Sequence, residues 1–402
     1  MDPAIASAVV AHYRAHQRDL PWRKTRDPYA IWVSEIMLQQ TRVQTVIPYW
    51  QRWMTRFPTV AALAAAPLDD VLAAWAGLGY YSRARNLHGA AQAITPRMPR
   101  TASELREVRG IGAYTAGAIA SIAYGERAAA VDGNIARVLA RVYAIEDDIK
   151  STAGTKQLWQ RATELMTALP AGNEPGELNQ GLMELGATLC TPLAPRCLVC
   201  PLASHCAAAR TGRQDALPVV APRKKESELP LLARAALWIE DAGLVVLARR
   251  IPEGLFGGLW ELPQADDRLA IARALGVTAE SEPVAYHDQT LTHRRLRIAV
   301  FCASAPRRLV PRPAMGYDAM TRIALADARS LGIAAATSAI LRKYQDTPWI
   351  STPKPSPSSP RVTTRSSKAS RSSATTRPTP TSSKPRSARR RASTSSSTTS
   401  AR

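Results

Sequence analysis

Residues 105–117 read LREVRGIGAYTAG. Leu105 and Val108 close one short helical segment, Gly110-Ile111-Gly112 turns the chain, and a second Ala-rich stretch of high helix propensity begins at 113. The first turn of a helix leaves backbone N–H groups without partners, so a hairpin of this kind aims donors at an anion. Glycine at 110 and 112 lets a phosphodiester come close, and Thr115 adds a hydroxyl. Such contacts grip a DNA backbone without reading its sequence. The competing reading is a tight turn inside a helical bundle.

Downstream, Asp132-Gly133-Asn134 precedes a helical pattern over 135–144. Asp132 is placed as an N-cap. A helix N-terminus favours an ionised carboxylate, which suits stabilising a nearby cation. Upstream, residues 32–41 read WVSEIMLQQT, with Glu35 the lone carboxylate in an apolar, aromatic helix. Burial would raise its pKa and keep it protonated, as a general acid requires. The alternative is a helical glutamate reaching out to water. Apolar residues recur at three- and four-residue spacing from Ile31 to Trp50, which predicts a helix there between Pro28 and Pro58. Residues 77–86 read GLGYYSRARN. Two tyrosines followed by Arg83 and Arg85 suit an aromatic wedge beside phosphate-binding cations, or core tyrosines at a helix start.

Four of the five cysteines fall within one loop, Cys190-x6-Cys197-x2-Cys200-x5-Cys206, and Cys302 stands apart. Four thiolates can close a tetrahedral zinc site or hold an iron–sulfur cube, and the spacing alone does not choose between them. No basic-then-apolar leader opens the chain and no apolar run approaches the ~20 residues of a membrane span. The expectation is a reducing, cytoplasmic, DNA-associated setting in which clustered cysteines bind metal.

The 402 residues carry a net charge of +21. From 347 to 402 there are 12 Lys/Arg and no Asp or Glu, which leaves 41 basic and 32 acidic groups, a net of +9, in the rest. The patterning divides the chain into a mostly helical region over 1–210, a Pro-containing linker over 211–230, a mixed α and β unit over 231–346, and a tail over 347–402. That tail of Ser, Thr, Pro, Arg and Lys is too polar to bury a core and is expected to be disordered. In the third part, 231–240 and 244–250 read as a hairpin about Asp241-Ala242-Gly243, 267–275 as a helix, 296–303 as a strand and 323–331 as a helix.

Taken together, LPWR, WVSEIMLQQTRV, GLGYYSRARN, GIGAYTAGAI, AYG, VDGNIARVLARVYA and the four-cysteine loop resemble the adenine DNA glycosylase (MutY-type) branch of the helix–hairpin–helix glycosylase superfamily, from about Leu20 to Cys206. The resemblance implies a mostly α glycosylase fold with an iron–sulfur loop. It implies that Glu35 protonates adenine, that Asp132 stabilises the sugar cation, and that Tyr124 and Asn134 support the sugar. Trp22, Arg23, Leu38, Val43 and Gln180 would line the adenine pocket. Gln40, Thr41, Leu78 and Tyr80 would fill the space opposite the flipped base, with Tyr80 as wedge. The four loop cysteines would hold a 4Fe–4S cluster.

The implied substrate is double-stranded DNA with adenine opposite 8-oxoguanine or guanine, bound by a monomer with no membrane partner. Bifunctional lyases of the superfamily place a lysine two residues after the second hairpin glycine, where Tyr114 stands here, so strand cleavage through an imine is not expected. Residues 237–263 resemble the start of a Nudix-type fold, and Leu291-Thr292-His293 resembles the loop that inspects oxidised guanine. Residues 266–277 contain no glutamate to hold divalent metal, which points to a recognition module rather than a pyrophosphatase. Arg109 stands in place of the usual hairpin proline, and Leu291 where an aromatic is common. The rival readings are a sister mismatch or oxidised-pyrimidine glycosylase, a Nudix hydrolase of damaged nucleotides, and a non-catalytic iron–sulfur DNA-binding protein.

Overall fold

A computed structural model describes residues 3–222 and 225–344. The tail expected over 347–402 lies outside the described residues. The helices run in the order α1 Pro3–His16, α2 Pro28–Leu38, α3 Val43–Arg56, α4 Val60–Ala65, α5 Leu68–Trp75, α6 Ser82–Ile94, α7 Ala102–Glu107, α8 Ala113–Tyr124, α9 Gly133–Val142, α10 Thr152–Thr167, α11 Pro175–Thr188 and α12 Ala207–Arg210. The single helix expected about 31–50 is two helices. Gln39 leaves helical geometry and Gln40 takes a left-handed φ of 57°, so the apolar repeat continues across a break in the backbone.

The helices enclose two apolar cores. Trp32, Trp53 and Trp75, with Leu63 and Leu72, fill the first, between α2 and α8. The rings of Trp53 and Trp75 meet edge to face at 5.5 Å, an arrangement that adds about 1 kcal/mol to simple burial. Leu139, Leu158, Leu165 and Leu182 fill the second, where α1 returns to pack with α9, α10 and α11. Helix α11 approaches its neighbours through glycine. A Cβ built on Gly186 would lie 2.6 Å from Asn134 Cβ and 2.9 Å from its carbonyl oxygen, so only glycine lets α11 touch the start of α9. Glu35 of α2 feels the charge of Asp132, which stands just before α9, so the two carboxyls lie near each other.

Strands follow: β1 Leu231–Asp241, β2 Leu244–Arg250, β3 Trp260–Glu261, β4 Gln264–Ala265, β5 Ala285–Thr290, β6 Arg295–Ala303 and β7 Tyr317–Ala324. The expected hairpin forms. Ala242 and Gly243 both have positive φ, the geometry of a two-residue turn that matches strand twist. β1 runs parallel to β6 from Leu231↔Arg295 to Ile239↔Ala303, and the order across the main path is β3-β2-β1-β6-β5. Helix α13, Arg268–Leu275, covers one face, and α14, Ala335–Tyr344, the other. Being covered on both faces explains the continuous apolar run of residues 235–239 in β1.

The helix expected over 323–331 is absent. Thr321 and Ile323 belong to β7, in register with Leu247 and Val245 of β2, and only a 3-10 turn, Asp327–Ser330, follows. Alternating β-branched residues beside a central strand outweigh the helix propensity of the alanines and leucine.

The helical part and the sheet share a core. Leu259 and Ala334 are buried among the residues of the first helical cluster. Around them Tyr81 Oη donates to the Ile333 carbonyl at 3.2 Å, Arg85 donates to the Gly257 carbonyl, and Arg249 pairs with both Asp69 and Asp318. The 211–230 segment also packs down: Leu217 is buried, and its carbonyl accepts from Arg141 Nε at 2.8 Å.

Candidate active site and metal centre

Glu35 sits in the middle of α2 and is 6% exposed. Its neighbours Trp32, Val33, Ile36 and Met37 fix that helix in the first core, so the carboxylate cannot swing out to water. Burial pushes its pKa up to about 7, and the charge of Asp132 pushes in the same direction. A hydrogen bond from the Tyr114 hydroxyl and the charge of Arg23 pull the other way. Burial and the neighbouring carboxyls hold the Tyr114 phenol well above its usual range, so it remains a donor. Its oxygen lies 3.4 Å from Met183 Sδ of α11.

Asp132 caps α9, accepting from Ile135 N at 2.7 Å and from the Asn134 amide at 3.0 Å. Burial nonetheless raises its pKa above the usual aspartate value, opposed by those hydrogen bonds and by Arg137. The helix-terminus hydrogen bonds favour the ionised carboxylate, as expected, but desolvation is the larger influence. Several donors favour its charged form, against one phenol at Glu35. The two carboxyls thus stand in different environments, Glu35 the better proton carrier and Asp132 the better anion.

Asn134 is held from behind. Arg137 Nη2 donates to Asn134 Oδ1 at 2.8 Å and to the Gly186 carbonyl at 2.7 Å, while its Nε donates to the Cys190 carbonyl at 2.7 Å. One guanidinium thus joins the cap of α9, the end of α11 and the first cysteine of the loop.

Tyr124 does not reach the two carboxyls. It ends α8, ten residues from Tyr114, lies under the Arg100 guanidinium at 5.4 Å, and lines a separate pocket with Tyr29, Met98 and Arg97. At ~1.5 Å per residue the two tyrosines stand about 15 Å apart along the helix. The tyrosine at the carboxyls is Tyr114, singled out in the sequence only for the lysine it replaces. The rotation of α8 against α2 brings it to Glu35, and no sequence pattern marks that.

The other candidates fall on several elements. Trp22 is buried edge-on against Trp50 at 6.1 Å. Arg23 donates to Glu184 at 2.7 Å and lies over the Tyr13 ring. Burial opposes ionisation of Glu184, but Arg18 and Arg23 hold its carboxyl below the usual range. Leu38 and Val43 pack against the first core, and Gln180 stands one turn before Met183 on α11. Gln40 and Thr41 form the break after α2. Leu78 is buried, whereas Tyr80 is 50% exposed with a positive φ of 49°. Tyr80 Oη and Thr292 Oγ1 lie 3.2 Å apart, so the 291–293 turn between β5 and β6 meets the exposed tyrosine across the two parts of the molecule. Thr292 and His293 are exposed and Leu291 packs on the sheet core.

In the hairpin, Gly110 and Gly112 are exposed, and Gly112 caps α8 without any side-chain bond, leaving its first N–H groups open. Thr115 is a correction: it is 2% exposed and cannot offer its hydroxyl to a backbone phosphate.

Cys190, Cys197, Cys200 and Cys206 carry free thiols and line one pocket with Val138, Val142, Leu185, Leu189 and Leu202. Arg141 Nη1 reaches Cys190 Sγ at 3.3 Å. Among the described residues no three His, Cys, Asp or Glu side chains converge tightly enough to grip a single ion. The four thiols line an apolar pocket, a donor set that suits a thiolate-bound metal or iron–sulfur group.

Residues 33–164 match the model of the HhH-GPD superfamily base excision DNA repair proteins, and residues 234–343 that of the NUDIX domain. An adenine DNA glycosylase of Buchnera aphidicola (from Baizongia pistaciae) is 35% identical over 252 residues, 62% of this chain and 70% of that protein. The chain belongs to the adenine DNA glycosylase family. Human and Arabidopsis thaliana members are each 40% identical, over 65% and 62% of this chain. The chain spans about half the length of these relatives, 57% of the human protein and 46% of the plant one. The family fold accounts for the architecture: a helical HhH-GPD region followed by a Nudix-like α+β unit. Among the described residues no helix is long and apolar enough to cross a membrane.

Proposed function

We propose that this protein hydrolyses the N-glycosidic bond of adenine mispaired with 8-oxoguanine or guanine in duplex DNA. The observation that carries the reading is the Glu35–Tyr114–Asp132 cluster, a buried acid hydrogen-bonded to a phenol and coupled to a second carboxyl. The adenine is rotated out of the duplex, because its bond cannot be reached inside the stack. Glu35, raised to about 7, gives a proton to the base so that it leaves neutral. Tyr114 orients that carboxyl, and Asp132 stands as the anion that stabilises the sugar cation. Glu35, now ionised, takes a proton from the attacking water. Asn134 fixes Asp132 through its amide. Trp22, Arg23, Leu38, Val43 and Gln180 shape the base pocket. Gln40, Thr41, Leu78 and Tyr80 fill the gap left behind, and Thr292 and His293 face the opposite base. Open N–H groups after Gly110 and Gly112 hold a phosphate. A phenol at 114 forms no imine, so the enzyme leaves an uncleaved abasic strand.

Cys190, Cys197, Cys200 and Cys206 are the residues that would hold a 4Fe–4S cluster, which when bound would cross-link the 190–206 loop through its sulfurs. We place the protein in the cytoplasm as a monomer acting on DNA. The 1–210, 211–230, 231–346 and 347–402 divisions correspond in this reading to catalytic region, linker, lesion reader and basic tail.

The test is a duplex carrying adenine opposite 8-oxoguanine, treated with alkali after incubation with protein shown to contain iron and sulfide. Cleavage at the adenine, with cytosine and thymine controls intact and no borohydride-trapped adduct, is the expected result. Intact DNA from cluster-containing protein overturns the reading, and abundant trapped adduct overturns the single-activity mechanism.

A further inference from the structure

Among the described residues Arg83 has no carboxylate partner, and its site is partly buried. Its Nη1 donates to the carbonyls of Ile36 at 2.8 Å, Met37 at 3.1 Å and Gln39, and its Nη2 to those of Leu78 and Gly79, each at 3.1 Å, and to Thr41 Oγ1 at 3.3 Å. The guanidinium lies between two rings, 5.3 Å from Trp75 and 5.6 Å from Tyr80. Desolvation draws its pKa down to about 10, which still leaves it charged at neutral pH.

Each of the two segments it joins carries a strained residue. Gln40 and Tyr80 have φ values of 57° and 49°, a region that L residues enter only when their surroundings impose it. Arg83 bonds to the residues just before each of them. A planar fork with five donors can hold two chain segments at a set angle, which a lysine point charge cannot.

We propose that Arg83 is a positioning residue for base displacement. It fixes the exposed Tyr80 ring against the 39–41 turn, so that both enter the duplex as one rigid edge. This rests on the function proposed above. Arg83 touches neither Glu35 nor Asp132 and acts on the step before chemistry.

The test compares Arg83→Lys with the unaltered enzyme on two substrates, one with adenine paired opposite 8-oxoguanine and one with adenine opposite an abasic analogue, where little stacking must be broken. Single-turnover excision from the mispair is expected to fall about tenfold to a hundredfold, the range for a misplacement near 1 Å, with a matching loss of the fluorescence change of 2-aminopurine at the adenine position. Excision opposite the abasic analogue should stay within about threefold on the same scale. Equal losses on both substrates would mean that Arg83 serves the carboxyls through α2, and no loss on either would mean that it serves neither; both overturn the proposal. Arg83→Gln, which keeps few of the donors, is the second variant. Failure of both to fold at low temperature would assign Arg83 to the fold as a whole and also overturn it. An unaltered enzyme that releases no adenine from either duplex rejects the underlying function instead.

Discussion

At the scale of the residue, Glu35 is where stability and chemistry oppose each other. Its carboxyl is raised from 4.5 to about 7, so the folded state holds its proton more tightly than the unfolded chain does. The associated stability is fully present below pH 4.5 and is lost as pH rises through about 7. At pH 8 the burial therefore costs about 3 kcal/mol, at 1.36 kcal/mol per tenfold step. Glu35→Gln should unfold at higher denaturant than the native chain at pH 8 and at nearly the same denaturant at pH 4. The same substitution should lower single-turnover excision by about 10² or more, the usual worth of a positioned proton carrier. Native excision should decline as pH rises through about 7, where the acid form disappears. Equal stability at both pH values would contradict the raised pKa.

Glu35 was legible in sequence as an isolated acid among apolar residues, and its burial is what makes it distinctive. Tyr114 was not, because no one-dimensional pattern says which of two tyrosines on α8 meets Glu35. Only the rotation of α8 against α2 decides that.

At the scale of the element, α11 brings the halves of the site together. Gly186→Ala would drive a methyl group into Asn134, whose amide holds Asp132. Overpacking of this kind costs about 1–3 kcal/mol, and here the shift falls on the α9 cap. Excision should drop more steeply than thermal stability, and the loss should appear in kcat rather than in DNA affinity. Unchanged kcat would show that α9 absorbs the methyl elsewhere.

The helix boundaries were legible where a residue marks them, as Asp132 and Asp267 do by capping their helices. They were not legible at residues 39–42, where apolar spacing runs on through a strained turn, nor at β7, whose partner strand lies about 70 residues away in sequence. Pairing between distant segments leaves no local trace.

For the whole molecule, charge is unevenly placed, with 12 Lys/Arg and no acid over 347–402. Deleting that segment should reduce the slope of log affinity against log salt by about 0.9 for each phosphate it neutralised, with the excision rate at saturating enzyme preserved. An unchanged slope would exclude the tail from DNA binding. The two-part architecture was readable from the shift in patterning near residue 230. The shared core between the parts was not, because Leu259 and Ala334 look like ordinary sheet-domain residues until they are found in the first helical core.

That shared core also sets an order of events during synthesis. The helical region leaves the ribosome before Leu259 and well before Ala334, so the surface around α5 emerges without its covering. At ~5–20 residues per second, the chain from 210 to 334 takes about 6–25 s to appear. Throughout that interval the nascent protein carries an open apolar face, and a ribosome stalled within it would present a fragment with its carboxyl cluster assembled and its flank unsealed.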